Sequence, residues 1–192
     1  MRALAIAVVL IAACGADDAD DPDGGGGGDG DGGPGIDAPT VTGEPPGLEG
    51  TVAAHNAARA AVGVPPLAWD PALAVIADAW ARQCRDATAP IGLIDHNPGR
   101  SDTYPTYVGE NIYGSGGGAS GTDAVRLWVA EEASYNYAAN SCSGVCGHYT
   151  QVVWRATTKV GCALYDCAGL QYGSTVVCNY GPGGNVGGQR PY

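Results

Sequence analysis

Basic residues are scarce in this sequence. It carries 9 Lys and Arg against 20 Asp and Glu, a formal net charge of −11, and the basic residues form no run along the chain. Proteins that bind nucleic acids present a positive surface to the phosphates, so that class is excluded. Nine of the acids lie between Gly15 and Pro46, where there is no Lys or Arg, and the rest of the chain is only mildly acidic.

Long apolar runs are also absent. The apolar run of residues 3–13 has 11 residues, too few to span a bilayer but typical of a signal-peptide core. It ends in Ile-Ala-Ala before Cys14, which resembles a bacterial lipobox. Residues 1–13 are therefore predicted to be a signal peptide, and Cys14 is predicted to carry a lipid that tethers the protein to a membrane outside the cytoplasm. The alternative is an ordinary cleaved signal peptide followed by a chance cysteine.

The segment after this leader has almost no apolar side chain to bury. Residues 14–46 are dominated by Asp and Gly and include five consecutive glycines, so burial cannot offset the entropy lost on ordering them. We predict a disordered linker with a root-mean-square span of roughly 30 Å, which holds a domain away from the membrane. Asp-Gly repeats also occur in calcium-binding motifs, but this segment lacks their nonapeptide period.

The cysteine content indicates an oxidising compartment. The chain has 7 cysteines, and proteins of the cytosol rarely form disulfides. With Cys14 assigned to the lipid, an even number is left for three disulfides, and their spacing alone leaves the pairing open. These are Cys84, Cys142, Cys146, Cys162, Cys167 and Cys178.

Helices are predicted in the first part of the remaining domain, residues 47–192. One covers residues 51–62. The next begins with Asp70 at the N-cap position and Pro71 at the first helical position, and its apolar spacing places Cys84 on the buried face. A third starts near residue 122 and ends at about residue 135.

Strands are predicted in the last part of the domain. A Gly, Pro and Asn-rich loop first occupies residues 87–121, and loops of this length inside domains are usually functional or disordered. Short β-rich runs then predict an antiparallel sheet from residues 148–154, 160–166 and 171–180. Helices followed by strands indicate an α+β domain with helices packed on a sheet.

Two long motifs identify a family. Residues 147–154 (GHYTQVVW) and 178–185 (CNYGPGGN) resemble the two signatures of the CAP superfamily, the SCP-domain proteins of the cysteine-rich secretory, antigen 5 and pathogenesis-related class 1 type. His55-Asn56 with Arg59 is similar to the family's first helix. Shorter segments match in the family's order, namely VGENI at 108–112, LWVAE at 127–131, YNY at 135–137 and GQRPY at 188–192.

The resemblance covers residues 47–192 and implies a three-layer α-β-α sandwich stabilised by disulfides. It implies a disulfide between Cys162 and Cys178, which join adjacent strands in the family. Plant relatives carry a cysteine shortly before the loop histidine, where this chain has apolar residues 91–93 and has Cys84 earlier. The family's other pairings are therefore not transferred, and the remaining four cysteines stay unassigned.

The resemblance also implies a cleft lined by four polar side chains. These are His96, Glu110, Glu131 and His148. Two neutral imidazoles and two carboxylates suit a divalent ion, zinc above all, and the carboxylates would balance its charge. In the alternative interpretation the four side chains only brace the loop, the helix and the sheet against one another through hydrogen bonds.

Two assignments near this cleft need separate reasons. Periodicity does not separate Glu131 from Glu132, because both share a helical stripe with Trp128. The match of the LWVAE and YNY segments to the family selects Glu131. His55 is expected to hydrogen-bond within the packing of the first helix and not to join the cleft.

Motifs of known hydrolases are missing. The sequence has neither Gly-x-Ser-x-Gly nor His-Glu-x-x-His, so we do not interpret it as an enzyme. We interpret it as a secreted, membrane-tethered binding module whose cleft takes a divalent metal and whose adjoining surfaces take a lipid, a sterol or a protein partner. The alternatives are a secreted peptidase or other hydrolase that uses the same four residues, and a structural surface protein acting in defence.

Overall fold

The structure is a computed structural model that describes residues 43–89 and 91–192. The predicted signal peptide, the predicted lipid anchor Cys14 and the predicted linker up to residue 42 lie outside these residues. No helix in the described part of the chain has the length and apolar character needed to cross a membrane.

Helices and strands follow one another through the described residues in a mixed order. The helices are α1 (Thr51–Ala61), α2 (Pro71–Ala81), α3 (Gly121–Ala130), a 3₁₀ helix (Glu131–Ser134) and α4 (Gly147–Val152). The strands are β1 (Ala68–Trp69), β2 (Gly109–Ser115), β3 (Tyr135–Asn136), β4 (Ser141–Cys142), β5 (Lys159–Asp166) and β6 (Ser174–Gly181).

The main sheet has the strand order β1-β5-β6-β2. β5 and β6 pair antiparallel, as do β2 and β6, but β1 pairs parallel with β5. The antiparallel pairing predicted for the last two strands is confirmed by β5 and β6, and the parallel edge strand β1 lies outside the predicted strands. β3 and β4 form a separate two-stranded hairpin.

The sheet is covered by helices on both faces. Alternate residues of β5 and β6, such as Cys162 and Cys178, pack against α1, α3 and α4 in one core cluster. Their neighbours Ala163 and Val177 face α2 in a second cluster. This alternation follows from the period of two along a strand, and it gives the three-layer α-β-α sandwich that the resemblance implied.

Local signals located α2 correctly. The Asp70 side chain accepts hydrogen bonds from the backbone N–H groups of Ala72 and Leu73, and Pro71 opens the helix. The helix ends at Ala81, however, and Cys84 lies beyond it in a left-handed conformation with φ 47°. Cys84 is therefore not on the helix face predicted for it.

Two segments of secondary structure differ from the prediction. Residues 148–154, predicted as a strand, lie mostly in α4, because Tyr149, Val152 and Val153 share one helical face that packs into the core. β2 lies inside the predicted loop 87–121 and pairs with β6 along its whole length. In both cases tertiary packing outweighs the local preference.

Three disulfides join the six cysteines of the described residues. Cys162 and Cys178 pair across β5 and β6, as the resemblance implied. The sequence left the other two open, and they are Cys84–Cys167 and Cys142–Cys146. The Cys84–Cys167 disulfide connects the end of α2 to the segment after β5.

A buried arginine holds the end of α4. The Arg59 guanidinium donates to the carbonyls of Val152 and Trp154 at 2.9 Å each, and also to those of Pro65 and Thr157. Burial lowers the pKa of Arg59 to about 10, so the group stays charged at neutral pH. Carbonyls at a helix C-terminus carry partial negative charge, and a cation there stabilises the helix.

A residue before Gly47 also contacts α1. The Glu44 carboxylate accepts hydrogen bonds from the N–H groups of Gly50 at 2.9 Å and Val52 at 2.6 Å. The N-cap residue of α1, Gly50, has no side chain to satisfy these groups. Glu44 therefore takes over the capping of α1.

Candidate functional site

The four site residues named by the sequence meet as two histidine–glutamate pairs. His96 Nδ1 lies 2.7 Å from Glu110 Oε1, and His148 Nδ1 lies 2.6 Å from Glu131 Oε1. His96 comes from the long loop, Glu110 from β2, Glu131 from the start of the 3₁₀ helix and His148 from α4. The fold thus brings a loop, a strand and two helices to one place.

Glu110 is a buried carboxylate with donors on both oxygens. Its side chain is 0 % exposed. Oε1 accepts from the His96 ring and from the Asn97 N–H at 2.9 Å. With the Asn179 amide turned so that its nitrogen faces the carboxylate, Nδ2 donates to Oε2 over 3.2 Å. These bonds satisfy the carboxylate and fix the position of the His96 ring.

Glu131 fixes His148 in a similar way. Oε1 accepts from the ring, while Oε2 accepts from the backbone N–H groups of His148 at 3.0 Å and Tyr149 at 3.3 Å. These N–H groups belong to the first turn of α4, which has no intrahelical partners for them. The structure brings Glu131 to His148, whereas the neighbouring Glu132 accepts from the Tyr149 hydroxyl.

The hydrogen bonds define which imidazole nitrogen is open. A carboxylate only accepts, so Nδ1 of each ring carries the donated proton. In the neutral ring Nε2 then holds the free lone pair. His96 and His148 both line one cleft of about 470 Å³. When neutral, each imidazole of the cleft therefore has its Nδ1 occupied and its lone pair on Nε2.

The carboxylates do not join the imidazoles as a four-ligand set. Within residues 43–89 and 91–192, no group of three or more His, Cys, Asp or Glu side chains is placed to hold a metal ion. The physical reason is that Glu110 and Glu131 are each taken up by a histidine Nδ1–H and by backbone N–H groups. In this arrangement each carboxylate holds an imidazole, and its role as a metal ligand stays a prediction.

Comparison with known proteins identifies the family of this chain. The sequence model of the cysteine-rich secretory protein family, CAP, matches residues 52–180. The chain belongs to the CAP family. Pathogenesis-related protein 1 of Arabidopsis thaliana is 46% identical to it over 139 residues, which cover 72% of this chain and 78% of that protein. GLIPR1-like protein 1 of Mus musculus is 39% identical over 166 residues, which cover 80% and 66%.

Solved structures of similar proteins share the fold. Schistosoma mansoni venom allergen-like protein 4 is 28% identical, with a TM-score of 0.58 over 77% of this chain and 94% of that one. A crystal structure of NaASP2 with Zn²⁺ is 25% identical, with a TM-score of 0.61 over 79% and 87%. The secretory family and the disulfides indicate a pathogenesis-related-type protein that works outside the cell.

The third histidine of this CAP domain lies in the core, as expected. His55 is 0 % exposed. Its Nδ1–H donates to the Thr51 carbonyl at 2.8 Å, and its Nε2 accepts from the Tyr180 hydroxyl at 2.9 Å. Burial, with a smaller contribution from the charge of Arg59, lowers the pKa of His55 to about 4. The ring is therefore neutral at physiological pH and is not part of the cleft.

Asn111 is a site residue that the sequence reasoning did not single out. Its Nδ2 donates to the His148 carbonyl at 3.1 Å and to the Tyr180 hydroxyl at 3.2 Å. Asn111 thus ties the backbone at His148 to the buried His55–Tyr180 pair. The signal was available, because Asn111 follows Glu110 directly in the VGENI segment of the CAP domain.

Proposed function

We propose that this CAP domain is an extracytoplasmic binding module whose cleft holds a divalent ion, zinc by preference. The observation that carries the proposal is the pair of Nδ1–H···carboxylate hydrogen bonds, His96 to Glu110 and His148 to Glu131. Metal-bound histidines commonly donate their second ring N–H to a carboxylate, which fixes the ring and its tautomer. The Nε2 atoms of His96 and His148 would hold the ion.

The donor set fits zinc with positions left open. Imidazole nitrogen is a preferred zinc ligand, and sites that keep an open position bind water or a further ligand there. The two glutamates contribute charge from behind the rings, because two carboxylates balance the charge of a divalent ion. The similar fold of NaASP2, solved with Zn²⁺, supports the proposal. A bound ion would supply Lewis acidity and a site for an external ligand.

Zinc titration tests this proposal. We expect the full chain, prepared without chelator or histidine tag, to bind one zinc ion in calorimetry. The His96→Ala/His148→Ala double variant should show no zinc binding, because both nitrogen donors are removed. Both histidine rings are at least partly exposed, so the variant should fold, and circular dichroism checks this. Equal zinc affinity in the two proteins would refute the proposal.

Adjacent glutamates provide a matched control in the same titration. Glu131→Gln removes the carboxylate that fixes His148, and loss of such a partner lowers metal affinity by about 10- to 100-fold. Glu132→Gln makes the same chemical change one residue along, where the carboxylate contacts the Tyr149 hydroxyl and not a histidine. Zinc affinity should stay within about twofold of wild type in Glu132→Gln. Equal losses in both variants would contradict the role given to Glu131.

We further propose that Cys14 carries a lipid and that residues 14–42 tether the domain to the membrane. The cysteines of the described residues all lie in disulfides, which leaves Cys14 without a cysteine partner among them. In a bacterial host the full chain should label with palmitate and sediment with membranes. Cys14→Ser should abolish both properties. Unchanged sedimentation and labelling would overturn the anchor.

A lipid, sterol or protein partner at the surfaces around the cleft belongs to the same proposal. The cleft opens beside exposed residues of the long loop, including Thr88 and Ala89. A ligand at the open metal positions would therefore also meet the side chains of this loop. Apolar side chains also line the cleft and limit the chemistry of such a ligand.

A further inference from the structure

Apolar side chains line the cleft beside the two histidines. Leu93, Ile94 and Ile112 face the same space of about 470 Å³ as His96 and His148. Ile94 is 4 % exposed and Ile112 is 6 % exposed. We call Leu93, Ile94 and Ile112 the apolar wall. The proposed metal site does not use it.

The apolar wall is a fixed part of the core. Ile94 and Ile112 belong to the cluster that packs α2 on the sheet, together with Trp80 and Val177. Ile112 follows Glu110 by two residues on β2, so the two side chains lie on the same face of the strand. The carboxylate that holds His96 and one member of the wall are therefore neighbours.

Hydrogen bonds also fix the loop that supplies Leu93 and Ile94. The Asp95 carboxylate accepts from the N–H groups of Ala87 at 3.0 Å and Thr88 at 3.1 Å. The Trp80 indole N–H donates to the Asp95 carbonyl at 2.7 Å. These hydrogen bonds hold the loop, and with it the position of Leu93 and Ile94.

A cleft with these two sides selects an amphiphilic ligand. A metal ion on two imidazoles keeps open positions that an anionic oxygen ligand fills. Apolar atoms of that ligand gain free energy by leaving water for the apolar wall. The volume is within the range of small-molecule sites.

We infer that the cleft binds a small monocarboxylate whose carboxylate completes the metal coordination and whose apolar group lies on the apolar wall. This inference rests on the proposed metal site and adds the chemical class of its ligand. The same chemistry occurs in a free short-chain carboxylate and in the apolar C-terminal residue of a peptide. The experiment separates these two sources.

Calorimetry of the zinc-loaded full chain with acetate, butanoate and hexanoate tests the apolar contact. Each added methylene should raise the affinity about fourfold, the factor expected for burying one CH₂. The second arm compares the affinity for N-acetyl-leucine with that for N-acetyl-glycine. A larger gain in affinity in this pair assigns the ligand to peptide C-termini, and a larger gain along the alkyl series assigns it to free carboxylates.

Matched variants locate the contact on the wall. Leu93→Asn should flatten the chain-length dependence, because Leu93 lines the cleft and is only half-buried. Circular dichroism checks that this variant folds. Ile91→Asn makes a similar change at a residue that is 63 % exposed and does not line the cleft. Ile91→Asn should keep the wild-type dependence.

Two results would overturn the inference. One is an affinity that does not change with chain length in protein that binds zinc normally. The other is a chain-length dependence that persists in Leu93→Asn. If zinc itself does not bind, the proposed metal site fails, and the same series is then measured on metal-free protein. In metal-free protein, a chain-length dependence that disappears in Leu93→Asn supports binding at the apolar wall. If the metal-free wild type shows no chain-length dependence, binding at the apolar wall is refuted.

Discussion

Replacing Cys84 and Cys167 together by serine should lower the free energy of unfolding by about 4–5 kcal/mol. This disulfide joins residues separated by 83 positions, and a cross-link stabilises chiefly by restricting the unfolded chain, more so for longer loops. It also connects the end of α2, where the loop towards His96 begins, to the segment that follows β5. Its loss therefore relaxes the elements under the apolar wall.

The other two disulfides provide the comparison. Cys162–Cys178 spans 16 positions and should contribute about 3 kcal/mol by the same relation, and Cys142–Cys146 spans 4 positions and should contribute about 2 kcal/mol. Chemical denaturation of the three double-serine variants, followed by tryptophan fluorescence, measures all three values. A variant lacking Cys142–Cys146 that is less stable than the one lacking Cys84–Cys167 would contradict loop length as the dominant cause.

Parts of the fold whose signals are local could be predicted. Asp70 and Pro71 stand next to each other at the start of α2 and act on the first turn of that helix. α4 has only 6 residues and takes its stability from distant groups, the Glu131 carboxylate at its N-terminus and the Arg59 guanidinium at its C-terminus. Both groups lie far from residues 148–154 in the sequence, so the β-rich composition of these residues predicted a strand.

β2 was missed for a different reason. Its glycines weaken the local strand signal, but they allow close packing. A Cβ at Gly109 would collide with the Gln151 side chain, and one at Gly114 would collide with Leu93. The strand forms because it pairs with β6, which lies far along the chain.

The identities of the site residues came from the family motifs, whereas their arrangement needed the structure. The motifs supplied His96, Glu110, Glu131 and His148 without saying which atoms meet. The same carboxylates also accept from the backbone N–H groups of the residues that follow the histidines, Asn97 and Tyr149. Those contacts lie between residues far apart in the sequence, so the motifs alone do not define them.

Acidification from pH 6.5 to pH 4 should lower the free energy of unfolding by roughly 3 kcal/mol through His55 alone. The pKa of His55 is about 4 in the folded protein, against 6.5 for a free histidine. Between these values the unfolded chain binds the proton and the folded protein does not. The contribution is therefore complete above pH 6.5, decreases as the pH falls, and is lost below pH 4.

The hydrogen bonds explain why the folded state rejects this proton. A protonated His55 would donate from Nε2 to the Tyr180 oxygen, so the Tyr180 hydroxyl proton would lose the acceptor it now has. The Asn111 amide N–H donates to the Tyr180 oxygen. That amide nitrogen therefore cannot accept the Tyr180 hydroxyl proton in place of His55. The charge would also lie near Arg59, which lowers the pKa further. Protonation thus leaves an unsatisfied group and a buried charge together, and both are costly.

Chemical denaturation of wild type and His55→Gln at pH 7, 5.5 and 4.5 isolates this contribution. Glutamine has a donor and an acceptor but does not titrate, so His55→Gln should lose less stability on acidification than wild type. Carboxylates titrate in both proteins, and their contribution cancels in the difference. Because Asn111 links the same network to the His148 carbonyl, acid unfolding through His55 would also release the backbone at the cleft. Parallel pH profiles in the two proteins would show that His55 is not the cause.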